Sequence, residues 1–137
     1  MAKSYCIYCV DDDSFILQMI GFQLRKHFED NTMVIELIDS PTKVIPFLEE
    51  CINNAITPVL GIIDYQMPDI NGAELIRIIK KQHPSMKFIM VSGNSSAIKV
   101  SDLVEDNLLD FYLSKPWEED DLINKINNCL PIQIQST

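Results

Sequence analysis

Carboxylates, a hydroxyl and an ammonium stand where short apolar runs stop in this sequence. Asp11, Asp12 and Asp13 follow Tyr5–Val10, and Asp64 follows Val59–Ile63. Ser92 follows Lys87–Val91, and Lys115 comes just after Phe111–Leu113. If the runs are neighbouring strands, these groups converge on one edge of a sheet. Two or three carboxylates cannot sit there comfortably alone, because unit charges 4 Å apart repel by about 4 kcal/mol at an effective dielectric of 20. A hard divalent cation with oxygen ligands relieves that repulsion; Mg²⁺ typically takes one or two carboxylates, waters and a phosphate oxygen. Lys115 supplies a compact positive charge and Ser92 a hydroxyl donor, both suited to the oxygens of a phosphoryl group. The set reads as an acidic metal site, a carboxylate nucleophile and two phosphate-oxygen partners. Each piece alone has a plainer reading, since an Asp after a strand is usually a helix cap or turn residue. Only the combination at four strand ends points to chemistry.

The elements that would position these groups are legible in the hydropathy pattern. Five apolar runs recur: Tyr5–Val10, Met33–Ile38, Val59–Ile63, Lys87–Val91 and Phe111–Leu113. Three are near-continuous apolar strings, as expected for parallel strands covered on both faces. Between them lie segments of helical spacing. Phe15, Ile16, Met19, Ile20 and Leu24 form one face of the first, and Val44, Ile45, Leu48, Cys51 and Ile52 one face of the second. Leu75, Ile76 and Ile79 line the third, and Leu122, Ile123, Ile126 and Leu130 the last. A weaker pattern over Ser95–Glu105, with Ile98, Val100, Leu103 and Val104, predicts a fourth helix that Asn107 would close in a left-handed cap. Pro41 and Pro58 fall near boundaries, Gly72 opens a helix after Asn71, and His83-Pro84 closes it. Five βα units imply an α/β fold: a doubly wound, five-stranded parallel sheet with helices on both faces, whose ligands bind beyond the carboxyl ends of the strands.

Composition narrows the function classes. The 137 residues fit one domain, with a core from about residue 4 to 130 and a short tail over 131–137. Twenty acidic and 11 basic side chains leave a net charge of −9. That balance, with no cluster of Lys and Arg, argues against direct nucleic-acid binding and against docking on an anionic membrane. Tyr5–Val10 is too short for a signal-peptide core and no apolar stretch approaches a membrane span, so a cytoplasmic protein is expected. Cys6 and Cys9 have C-x-x-C spacing but fall in a strand, where residues three apart point to opposite faces, so one metal could not bind both.

Val10-Asp11-Asp12-Asp13, Asp64-Tyr65-Gln66-Met67-Pro68-Asp69-Ile70-Asn71-Gly72, Val91-Ser92-Gly93 and Ser114-Lys115-Pro116-Trp117 resemble the motifs of two-component response-regulator receiver domains. The resemblance runs from about Ser4 to Leu130 and implies a flavodoxin-like fold of the receiver type. It implies that Asp64 is the phosphoacceptor, taking its phosphoryl group from a phosphohistidine on a sensor histidine kinase or phosphotransfer protein. Mg²⁺, or Mn²⁺ in its place, would be held by Asp12 and Asp64, by Asp11 mainly through water, and by the backbone carbonyl of Gln66. Ser92 and Lys115 would bind the phosphoryl oxygens, and the Lys115–Pro116 bond would be cis. Tyr112 matches the aromatic switch position, which turns inward as the Ser92 hydroxyl moves toward the phosphate. The partner face would comprise the fourth helix, fifth strand and last helix, including Ile98, Leu103, Tyr112 and the segment from Trp117. It would serve an output protein or domain, or a second copy in a phosphorylation-dependent homodimer. Such a protein catalyses only its own phosphorylation and dephosphorylation.

The departures from the motif are specific. Asp13 is an additional acid, best read as a helix cap. Glu105-Asp106-Asn107-Leu108-Leu109 replaces the usual Ala-Gly before the fifth strand. Trp117 stands where Phe is commoner, as in receivers joined to phosphodiesterase or kinase modules, and Gln66 and Asn94 match positions that tune phosphoryl lifetime. Two other readings compete. Ile7–Asp13 also resembles the first motif of haloacid-dehalogenase-type phosphatases, with Asp11 as nucleophile, but that leaves Asp64 and its loop without a role. Glu118–Asp121 opens a helix and so does not supply that family's fourth motif. A pseudo-receiver, a binding module that is not phosphorylated, would lack the intact constellation. A stand-alone receiver and a part of a longer protein both fit the sequence.

Overall fold

The computed structural model describes residues 5–93 and 107–131. Strands β1 (Tyr5–Val10), β2 (Met33–Ile38), β3 (Thr57–Asp64), β4 (Lys87–Ser92) and β5 (Phe111–Ser114) form one parallel sheet in the order β2-β1-β3-β4-β5. The helices are α1 (Ser14–Phe28), α2 (Val44–Asn53), α3 (Gly72–Gln82) and α4 (Glu119–Cys129), with a short 3-10 turn at Pro41–Lys43 leading into α2. The expected helix over Ser95–Glu105, with Ile98, Val100, Leu103 and Val104, lies outside the described residues, as do Asn94 and residues 132–137. Asn107, at φ 59°, has the left-handed backbone expected of it. Among the described residues no helix is long and apolar enough to cross a membrane.

The apolar strings become strands buried on both sides because alternate residues serve two cores. Cys6, Tyr8 and Val10 of β1 pack with Val44 and Leu48 of α2 and Ile76 and Ile79 of α3. Ile7 and Cys9 pack on the other side with Leu17, Ile20 and Leu24 of α1 and with Leu122 and Ile126 of α4. The C-x-x-C pair is thus divided between two faces, and all four cysteines are buried free thiols. Pro58 enters β3 where the pairing with β1 shifts: Cys6 faces Pro58, but Ile7 faces Leu60, leaving Val59 as the extra residue of a bulge. A residue without an N–H is accommodated at such an irregularity.

Two helix faces differ from the sequence reading. On α1 the buried side is Leu17, Ile20, Gly21, Leu24 and Phe28, whereas Phe15 is 76% exposed and Met19 36%. The helix carries two overlapping apolar stripes and buries the one bearing Gly21. A Cβ there would lie 2.6 Å from the Leu37 Cδ1 of β2, so a larger residue would have to displace the tip of that side chain. On α2, Val44, Leu48 and Cys51 are buried but Ile52, in the last turn, is 58% exposed.

The turn after β3 shapes the carboxyl edge of the sheet. Tyr65 N–H donates to the Val91 carbonyl (2.9 Å) and Gly72 N–H to the Tyr65 carbonyl (2.8 Å), so the loop folds back onto the strand end. Between them Ile70 N–H donates to the Pro68 carbonyl (2.8 Å) around Asp69, at φ 72°, which makes a tight γ-turn. Asn71 then caps α3 in a capping box: its side chain accepts from Glu74 N–H (2.9 Å), and Glu74 accepts in return from Asn71 N–H (3.4 Å). A Cβ on Gly72 would lie 2.5 Å from the Asp64 carbonyl oxygen. Asn71→Ala is therefore expected to cost about 1 kcal/mol, lowering Tm by roughly 2–5 °C. Gly72→Ala should cost more, since backbone rather than a side chain must move. Thermal melts of the two variants check the order.

Candidate functional site

The site begins with the way β1 ends. Asp11 N–H makes a last sheet-like bond to the Ile38 carbonyl (3.1 Å), which places the Asp11 side chain over the carboxyl edge of the sheet. Its Oδ1 accepts from Asp13 N–H (2.9 Å). Asp13 in turn caps α1, accepting from Phe15 N–H (2.9 Å) and Ile16 N–H (3.4 Å). The third acid of the run is thus a helix cap, as its position suggested, and it leaves Asp11 and Asp12 to the site. Asp64 ends β3, the next strand of the sheet, and is buried beside Asp11, while Asp12 is exposed. One carboxylate oxygen from each of Asp11, Asp12 and Asp64 lies within 4.8 Å of the other two.

Lys115 reaches this cluster from the far side of the sheet. Its backbone N–H donates to the Ser92 carbonyl (2.9 Å), which fixes the end of β5 against β4, and the Lys115–Pro116 bond is cis. Its Nζ donates to Asp11 Oδ2 (2.8 Å) and to Asp64 Oδ1 (3.0 Å). All three groups are largely withdrawn from water, so these ion pairs are screened less than surface pairs. Burial pushes the Asp64 carboxyl up to about 6, with repulsion from Asp11 adding to it and the Lys115 bond and charge opposing it. For Lys115, burial works against the charged form, but hydrogen bonds to Asp11 and Asp64 outweigh it, so its pKa is raised. Among the described residues one ammonium, paired with Asp11 and Asp64, stands in a cluster of three carboxyl groups, and the surplus is negative.

Hard oxygen donors clustered in this way fit a divalent cation. Asp11, Asp12 and Asp64 could hold such an ion, whose positive charge would relieve their mutual repulsion. Gln66 lies on the β3–α3 loop and lines an open cavity together with Asp12, Tyr65, Met67, Pro68 and Asn71. Ser92 is buried at the end of β4, one strand from Asp64. Tyr112 of β5 pairs with Met90 and packs against the core that holds Phe88 and Met90. Its buried hydroxyl has no hydrogen-bond partner among the described residues. Asp11, Asp12, Asp64 and Lys115 are therefore brought together, with Ser92 on the same edge and Tyr112 two residues back along its strand.

Sequence reasoning missed Gln23. Its Oε1 accepts from Trp117 Nε1 (2.8 Å), tying the loop after Lys115 to α1. The signal was the spacing of Ile16, Ile20 and Gln23, which puts one polar residue at the end of an apolar row. The network continues at Glu119, which accepts from Lys26 Nζ (2.7 Å) and is 2.8 Å from His27 Nε2. The phosphatase reading does not survive this arrangement, because Asp64, to which it gave no role, stands inside the cluster, and Glu118–Asp121 forms the cap and first turn of α4.

Comparison with known proteins agrees with the geometry. The family model of the response regulator receiver domain matches residues 7–127. The chain is 26% identical over 124 residues to the DNA-binding transcriptional regulator NtrC of Proteus hauseri, covering 90% of this chain and 24% of that protein. It is 27% identical over 129 residues to the transcriptional regulatory protein CssR of Bacillus subtilis, covering 94% of this chain and 52% of that protein. The chain thus spans about half or less of these curated relatives. A response regulator receiver domain protein from Clostridium thermocellum superposes with a TM-score of 0.75 at 30% identity, with 94% of each chain covered. The chain belongs to the response regulator receiver family of two-component systems.

The raised Asp64 carboxyl has a consequence for stability. Its ionised form is disfavoured in the folded state, so it destabilises the metal-free protein above pH 6 by roughly 3 kcal/mol, and this penalty fades as pH falls from about 6 toward the ordinary carboxylate range. Asp64→Asn should raise Tm in chelator at pH 7 by several degrees and by less at pH 5. Calorimetry at the two pH values tests this, and an equal or lower Tm at pH 7 contradicts it.

Proposed function

We propose that this receiver takes a phosphoryl group from a phosphohistidine on Asp64, with Ser92 and Lys115 as partners of the phosphoryl oxygens. The observation that carries the reading is the buried Asp64 carboxylate, held at 3.0 Å by Lys115 within 4.8 Å of two further carboxylates. A carboxylate oxygen of Asp64 attacks phosphorus, the P–N bond to imidazole breaks, and an acyl phosphate forms. The donor would be a sensor histidine kinase or a phosphotransfer protein. As negative charge moves onto Asp64, the Lys115 ammonium already lies against one of its oxygens and is available to the transferred group. Asp11 orients Lys115 while remaining fixed by Asp13 N–H. Asp12, Asp64 and the Gln66 carbonyl would hold Mg²⁺ or Mn²⁺, with Asp11 acting through water. The ion would supply positive charge toward the phosphoryl oxygens.

The output is a population shift between two arrangements of a binding face. Ser92 and Tyr112 are the switch pair. The Tyr112 hydroxyl, buried with no hydrogen-bond partner among the described residues, sits on the strand next to Ser92, where a change at one is felt by the other. The face itself would be made by the fourth helical segment, β5 and α4, and would take an output protein, an output domain or a second copy. The acidic surface makes nucleic acid an unsuitable direct ligand for this part of the molecule.

Incubation with acetyl phosphate and Mg²⁺ is expected to label the wild-type protein with one acid-stable, base-labile phosphoryl group. Asp64→Asn should abolish labelling, and chelation of the metal should do the same. Lys115→Ala should slow it by about 10²-fold or more, as expected for loss of a charge-stabilising donor. Labelling that survives Asp64→Asn but disappears in Asp11→Asn assigns the nucleophile to Asp11 instead. Mass spectrometry after each incubation reads all of these outcomes.

A further inference from the structure

Trp117 and Gln23 have no part in the phosphoryl chemistry, yet they link the Lys115 loop to the helix that starts at the acids. Before Lys115, the chain is fixed by the bond from its backbone N–H to the Ser92 carbonyl. After it comes Pro116, which has no N–H to donate, and then Glu118, which caps α4 without a side-chain bond. This stretch is tied to another element by Trp117 Nε1 to Gln23 Oε1 (2.8 Å) and by the Glu119 pairs with Lys26 and His27, all on α1. The indole also closes a narrow space lined by Ile16, Leu17 and Ile20 of α1 and by Asp11 and Asp64 themselves. At its N-terminal end α1 is capped by Asp13, whose N–H holds Asp11. Asp11, Lys115, Trp117, Gln23 and α1 therefore form a closed ring of contacts around the site.

We propose that Gln23 and Trp117 act together as positioning residues that set the Lys115 ammonium between Asp11 and Asp64. A phenylalanine at position 117 fills the same apolar space but cannot donate to Gln23. The hydrogen bond is thus the part of this contact specific to tryptophan, and Gln23 is the acceptor that uses it. Without the bond the indole is held by packing alone, and the two-residue tether to Lys115 loosens. The expected effect is on the rate of transfer with metal saturating, rather than on metal affinity, since neither residue is an oxygen donor to the cluster. The inference rests on the proposed role of Lys115.

Trp117 is the only tryptophan, so its emission reports directly on the Gln23 contact. The variants to compare are Gln23→Leu, which removes the acceptor, Gln23→Glu, which keeps it, Trp117→Phe, which removes the donor, and the Leu/Phe double variant. Gln23→Leu and Trp117→Phe are each expected to slow acetyl-phosphate labelling at saturating Mg²⁺ about three- to tenfold, the range of one hydrogen bond. The double variant should be no slower than Trp117→Phe alone. Gln23→Glu should stay within about twofold of wild type, and only Gln23→Leu should shift the tryptophan emission. Independent losses that multiply in the double variant, or an unchanged rate in Gln23→Leu, overturn the proposal. A second readout stands apart from the phosphoryl chemistry: the side-chain methylene resonance of ¹³C-labelled Lys115, assigned with Lys115→Arg, should move in Gln23→Leu and return in Gln23→Glu. If the wild-type protein is not labelled at all, the phosphoacceptor reading falls, while this resonance still decides whether Gln23 positions Lys115.

Discussion

Three carboxyl groups at the end of one sheet, with the Lys115 ammonium among them, are the constraint around which this structure is arranged. Asp11 and Asp64 follow from adjacent strands, so the parallel order of β1 and β3 forces their side chains together. Burial first, and then the repulsion from Asp11, raise the Asp64 carboxyl, and Lys115 only partly offsets them. Everything nearby acts to hold charges that would otherwise separate. The Asp13 N–H fixes Asp11, the β3–α3 loop closes on the Asp64 backbone through Gly72, and the β5 end brings Lys115 across the sheet. Stability given up at this edge is supplied by the two apolar layers beneath it, where Tyr8, Phe88, Ile76 and Ile89 are wholly buried. A site that is uncomfortable without a cation is also one that responds strongly when a cation and a phosphoryl group arrive.

The fold was legible because its strands are simple. Ile7–Val10, Leu60–Ile63 and Phe88–Val91 are apolar on both faces, which in a chain of this length admits few arrangements other than a covered parallel sheet. Most of the site was legible for the same reason, since Asp11, Asp64 and Ser92 come directly after those strings, while Lys115 follows the shorter run at β5. Helix faces were harder. In α1 the apolar residues run nearly all round, and periodicity alone favoured Phe15 and Met19. The deciding feature was Gly21, whose lack of a side chain lets the helix approach Leu37. That signal depends on a residue of another element. Gln23 was missed on similar grounds: a single polar residue beside an apolar row has no meaning until Trp117 is seen against it.

The departures from the receiver motif differ in what they touch. Asp13 is a cap and belongs to α1. Asn107 takes a left-handed backbone, and its carbonyl accepts from Lys80 Nζ (2.7 Å), so the unusual approach to β5 is fastened to α3. Trp117 is fastened to α1. Two loops that differ from the common pattern are thus each tied by one polar side chain to a neighbouring helix. The acidic run over Glu118–Asp121 also has a local role, since negative charge in the first turn of α4 suits the helix dipole and Glu119 in addition meets Lys26 and His27.

The division of Cys6 and Cys9 between the two cores has a meaning beyond excluding a metal. Burial pushes the thiols of Cys6, Cys9 and Cys51 up, and that of Cys129 up to about 12. Thiolate is the form that oxidants and electrophiles attack, so the closed fold offers them almost none. Cys9 lines the same narrow space as Asp11 and Asp64, and the Asp11 charge adds to the burial that keeps its thiol protonated. The cysteines are in this sense deaf to oxidants while the domain remains folded.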